Sequence, residues 1–75
     1  MRRAGTAITS TQGMVILRSQ SDDPPSIGSS LVDESLDRVG QVVDIIGPTA
    51  RPYLVVNPDE DRSAASLLGK PFYLR

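Results

Sequence analysis

A chain of 75 residues and 8.1 kDa reads as one domain, near the size at which a single core nets only about 3–5 kcal/mol over the cost of ordering the backbone. Without cysteine or histidine it has no disulfide framework, no thiolate zinc site and no imidazole base, which argues against an enzyme and against a bound cofactor or metal. A formal charge of −1 and a pI near 5.1 exert no long-range pull on phosphate, so strong independent binding to nucleic acid is not expected.

Leu, Ile, Val and Phe make up 20 of the 75 residues, above the level at which a chain stays disordered, so this one is expected to fold. No apolar run approaches the roughly 20 residues that span a bilayer, and the N-terminal arginines precede no apolar secretory core. The expectation is a soluble, cytoplasmic protein.

Arg3 to Thr9 and Gly13 to Arg18 are short and rich in β-branched or apolar residues, and Ser10, Thr11 and Gln12 between them suit a hairpin ending at Gly13. Ser19 to Ser26 reads SQSDDPPS, a polar loop whose paired prolines stop any helix or central strand. Ile27 to Glu34, IGSSLVDE, is a third, short strand with Gly28 as a bend, and Ser35, Leu36 and Asp37 form a turn. Arg38 to Ile46 is a fourth strand, ended by Gly47 and Pro48. Pro52 opens a fifth, Tyr53 to Val56, which Asn57 and Pro58 close. After Asp59, Glu60 and Asp61, Ser63 is placed to N-cap one helical turn through Leu68 that stops at Gly69. Pro71 to Arg75 is the last strand. Six strands with regularly spaced turns predict an all-β fold, a small six-stranded barrel with one short helical turn, and closure of the barrel hides edges that a small open sheet would expose.

Alternate residues of a strand share a face. Val39, Val43 and Ile45 therefore oppose Val42 and Ile46; Val15 and Leu17 oppose Met14 and Ile16; Tyr53 and Val55 oppose Leu54 and Val56. Both faces of each strand carry apolar residues, and only one set fits inside so small a barrel. Either the final turn and loops cover the other set, or part of it forms a patch that another protein buries. Tyr53 suits either a core ring or an interface anchor. Pro48 and Pro52 stiffen the loop between them, holding Ile46 and Leu54 in register or presenting a preordered surface.

The run IGSSLVDESLDRVGQVVDIIGPTARPYLVVNP, followed by LLGKPFYLR, closely resembles the Gar subunit of box H/ACA ribonucleoproteins, the RNA-guided pseudouridylation machines, in a short archaeal form. The likeness extends back through AGTAIT and GMVILR, and IIGPTARPY is its most telling part. It implies a barrel that docks on the catalytic domain of a dyskerin-type pseudouridine synthase, contributes no catalytic residue, meets guide RNA only through the complex, and assists substrate loading and turnover. The candidate partner contacts are Ile46, Gly47, Pro48, Pro52, Tyr53 and Leu54. The glycine- and arginine-rich tails of eukaryotic relatives are missing, leaving Arg2 and Arg3 as a small remnant. The apolar-Val-Asp-Glu segment with a following Val-Gly also occurs in PRC-type barrels, so the alternative is a PRC-like or translation-factor-like barrel in ribosome assembly or RNA binding.

Three acidic features have simpler explanations than chemistry. Asp33, Glu34 and Asp37 lack the spacing of a calcium loop and suit a solvated turn. Asp59, Glu60 and Asp61 suit a solvated loop. Asp44, among apolar neighbours on a strand, is expected to reach solvent or to pair with Arg38 or Arg51.

Overall fold

The computed structural model describes residues 2–19, 24–48 and 50–74; part of the polar SQSDDPPS loop, Thr49 and the terminal Arg75 lie outside them. The strands are β1 (Arg2–Thr11), β2 (Met14–Ser19), β3 (Ser30–Val32), β4 (Arg38–Ile46), β5 (Tyr53–Pro58) and β6 (Pro71–Leu74). They close into an antiparallel barrel in the order β1-β2-β5-β4-β3-β6. The all-β, six-stranded barrel read from the sequence is therefore the fold. Chain neighbours pair in the β1–β2, β3–β4 and β4–β5 hairpins, and β5 crosses over to β2.

The first hairpin turns on Gln12 and Gly13 alone, both with positive φ (51° and 80°). A two-residue turn of that hand matches the twist of the strands it joins. Ser10 and Thr11 consequently stay in the ladder opposite Val15 and Met14 instead of forming the connection. The third strand shrinks to three residues because Gly28, at φ 96°, turns the preceding segment onto β4, where its N–H donates to the Val42 carbonyl at 2.7 Å.

Val15, Leu17, Leu31, Val39, Val42, Leu54, Val56 and Phe72 fill the interior with no exposed surface. On β2 and β5 strict alternation holds, with Val15, Leu17, Leu54 and Val56 inside. On β4 it fails. The pairing of β4 with β5 skips a residue between Val42, opposite Val56, and Asp44, opposite Val55. Another irregularity displaces its pairing with β3 near Val39. Each extra residue switches the facing of the residues after it. Val39 and Val42 thus both point inward, Val43 points out, Ile45 returns to pack on the core, and Ile46 points out again. The expected grouping of Val39 with Val43 is corrected by this bulge.

Tight curvature needs strands to approach without side chains between them. A Cβ on buried Gly40 would collide with the Asn57 carbonyl oxygen, as one on Gly5 would with that of Arg18, so glycine at these positions lets adjacent strands close on each other.

The helical segment is a single 3-10 turn, Ala65–Leu67. Its N-cap is Ala64, with no side-chain cap; Ser63 contributes its carbonyl, which accepts from the Ser66 N–H (3.1 Å) and hydroxyl (2.8 Å). A 3-10 turn is closed by i to i+3 backbone bonds, so the Ser63 carbonyl, and not its hydroxyl, starts this one. Leu67 is buried in the core. The turn is seated by Gly69 N–H donating to the Ala7 carbonyl (2.8 Å) and Ala7 N–H to that of Lys70 (3.0 Å). The β1–β2 register shifts at the same place, between Ala7 and Thr9, and Ile8 is left 48% exposed.

Candidate functional site

Strand order brings residues distant in sequence into rows across the outside of the barrel. One row runs Thr6, Arg18, Tyr53, Ile46 over β1, β2, β5 and β4. The next runs Thr9, Ile16, Val55, Asp44, with the bulged Val43 beside Asp44. Ile16, Val55 and Tyr53 are half-buried, whereas Val43 is 37% and Ile46 45% exposed. The outer side of β2, β5 and β4 is therefore an apolar strip running to the β4–β5 loop.

Gly47 ends that strip in a specific way. Its φ of 86° lies where side chains are strained, and a Cβ there would sit 2.8 Å from Cδ2 of Tyr53. Only glycine lets the backbone turn and lie on the tyrosine ring. The ring lies against this turn and is half-buried.

The six candidate contacts separate accordingly. Ile46, Gly47 and Pro48 are exposed and Tyr53 is half-buried, so these four meet at one end of the strip. Leu54 has no exposed surface; it points into the barrel because its neighbour Tyr53 points out. Pro52 is buried as well, and its carbonyl accepts the Ser19 N–H at 3.1 Å, extending the β2–β5 ladder. Neither presents a side chain to a partner, and their role at this site is to position Tyr53. Ile16, Val43 and Val55 join the strip without having been singled out, since only the β2-β5-β4 order and the β4 bulge make them neighbours. Asp44 stays exposed and accepts the Ile45 N–H at 2.8 Å, not an arginine.

At the other end of the β4–β5 hairpin the charges are paired. Arg38 donates from Nε to both carboxylate oxygens of Asp59 (3.2 and 3.1 Å) and from Nη1 to Ser30 Oγ (3.1 Å). Arg62 donates from both terminal nitrogens to Asp33 Oδ2, each at 3.3 Å. The other oxygen of Asp33 accepts the Ser35 N–H (2.8 Å) and the Asp37 N–H (3.1 Å). Partial desolvation pushes the Asp33 carboxyl upward, but the two backbone donors and the Arg62 guanidinium outweigh it and hold the group below its ordinary value. Asp33 also borders a cleft of about 210 Å³ with Glu34, Ser35, Lys70 and Pro71. One of its oxygens is occupied by the turn it organises and the other by Arg62, which is a structural use of a carboxylate.

A family model described as the Gar1/Naf1 RNA binding region matches residues 1–75. Among solved structures, one described as the Gar1 domain of Naf1 has a TM-score of 0.73, covering 99% of this chain and 85% of that one at 15% identity. That likeness bears on the barrel fold alone. No curated protein matches the sequence.

Proposed function

The chain belongs to the Gar1/Naf1 family, and from that premise we propose that it is a non-catalytic accessory subunit of an H/ACA ribonucleoprotein. In this reading it docks on the catalytic domain of a dyskerin-type pseudouridine synthase and assists substrate loading and turnover in rRNA or tRNA modification. The observation that carries the proposal is the apolar strip on the outside of β2, β5 and β4, ending in Ile46, Gly47, Pro48 and the ring of Tyr53.

A barrel is a rigid carrier for such a surface. Each apolar side chain that a partner covers contributes on the order of 25 cal/mol per Å² removed from water, offset by the cost of association. A tyrosine ring already seated on Gly47 loses little further freedom on binding, which favours it as an anchor. The surface supplies shape and apolar area, and the synthase supplies the chemistry.

Calorimetric titration of the chain into purified synthase without RNA tests the proposal. Ile46→Asp and Tyr53→Asp are each expected to weaken binding by well over tenfold, roughly 1.4 kcal/mol or more, because a charge would be desolvated without a partner. If a folded Ile46→Asp variant binds the synthase as the parent does, the proposed face is wrong.

A further inference from the structure

The row that ends in Tyr53 and Ile46 begins in a different chemistry. Thr6, Ile8, Arg18, Ser19 and Arg51 line a cleft of about 270 Å³ with no carboxylate among them. Arg38 and Arg62 are each held by an aspartate. Arg18 and Arg51, by contrast, make no ion pair or side-chain hydrogen bond among the described residues, and both are exposed. A third guanidinium stands at the rim, where Arg3 Nη2 donates to Thr6 Oγ1 at 2.8 Å. In a chain of net charge −1, basic groups have gathered here because β2, the β4–β5 loop and the start of β1 meet at this end of the barrel.

We infer that at this cleft Arg18 and Arg51 each take one backbone phosphate of an RNA strand running past the docked barrel. The inference rests on the reading of the chain as a ribonucleoprotein subunit; RNA binding is what the family's description names, and the inference assigns it to this cleft. Planar guanidinium forks match phosphate oxygens in pairs, and arginine loses less water than lysine in doing so. The Thr6 hydroxyl lines the same cleft, and Ile8 supplies an apolar wall against which a ribose can rest. Arg18 pairs across the ladder with Tyr53, so a strand held here lies directly beside the protein-docking strip.

Two phosphate contacts make a weak site. For a single strand the logarithm of affinity falls with the logarithm of salt by about 0.7 per phosphate neutralised, hence a slope near −1.4 for two. The contact therefore adds to an assembly already held by protein docking, and it is compatible with a chain too acidic to seek RNA alone.

The test is an NMR titration of the ¹⁵N-labelled full chain with oligouridylate at low salt, repeated with inorganic phosphate and with polyglutamate. Expected are shifts at the amides of Thr6, Ile8, Arg18, Ser19 and Arg51, with the salt slope given above. Arg18→Gln and Arg51→Gln should each weaken RNA binding about threefold to tenfold and flatten the slope by about 0.7, while Arg38→Gln leaves both unchanged. RNA shifts at another surface, no RNA shifts at all, or indifference to both substitutions would overturn the assignment. So would phosphate binding as tightly as RNA, which marks a simple anion site, or polyglutamate competing equally, which marks an acidic protein partner. The double variant Arg18→Gln/Arg51→Gln, titrated into the synthase, separates the two proposals. Normal docking with lost RNA contact supports this one, whereas normal docking by Ile46→Asp counts only against the docking face.

Discussion

The two ends of the β4–β5 hairpin are built from similar residues and do opposite things. Where β4 begins and β5 ends, Arg38, Asp59, Asp33 and Arg62 saturate one another with hydrogen bonds, and Gly40 lets the strands close tightly. Where β4 ends and β5 begins, glycine and proline shape a loop, Tyr53 and Ile46 are offered to solvent, and Arg18 and Arg51 have no carboxylate partner among the described residues. Exposed ion pairs contribute at most about 1 kcal/mol each, so the paired end is not mainly a store of stability. Its effect is to give Arg38 and Arg62 each a carboxylate partner. The lesson is that a fold can pair charges at one end of a hairpin and leave apolar and basic side chains available to a partner at the other.

The comparison can be broken first at the paired end. Gly40→Ala drives a Cβ into the Asn57 carbonyl, and with backbone on both sides neither group can yield cheaply. A loss of about 3 kcal/mol or more is expected, enough to unfold much of a domain of this size; urea denaturation followed by circular dichroism measures it. Next, Gly47→Ala at the open end faces a positive φ and the Tyr53 ring. It should cost about 1–2 kcal/mol in thermal melting and, by displacing the ring, also weaken synthase binding. If Gly47→Ala lowers stability yet leaves binding untouched, Tyr53 is a core ring and the contrast between the ends loses its functional half.

A smaller effect comes from Asp33→Asn. Because the folded carboxyl titrates below its ordinary value, its contribution is complete above the unfolded value of about 3.9 and fades as pH falls through the lowered folded one. The parent should therefore exceed the variant in urea midpoint at neutral pH, and the gap should close as pH falls below the ordinary carboxylate range. A gap that persists in acid would mean that the turn depends on Asp33 for hydrogen bonds alone and not for its charge.

Most of the strands were legible because local signals agreed. Gly47 and Pro48 end β4, Pro52 opens β5, and the period of two on β2 and β5 places Val15, Leu17, Leu54 and Val56 together inside, although β5 runs on through Asn57 and Pro58, which still pair with β4. Legibility stopped wherever one residue too many entered a ladder. The bulge at Val43 reversed the expected facing of half of β4, and nothing in the run QVVDII marks which of its residues is the extra one. The candidate site was half legible for a related reason. IIGPTARPY located the loop, but whether Leu54 or Tyr53 faces out depends on which side of the sheet becomes the interior.

Taken alone, the sequence determined the class of this protein. Short β-branched runs punctuated by Gly and Pro can satisfy their backbone only by pairing as strands, and the absence of His and Cys removed the usual chemistry. Only the tertiary structure decided the neighbours. Placing β5 between β2 and β4 set Ile16, Val55 and Val43 side by side, put Arg18 next to Tyr53, and brought Arg51 to Thr6. Such contacts depend on closure and register, which are properties of the whole barrel and are carried by no single segment.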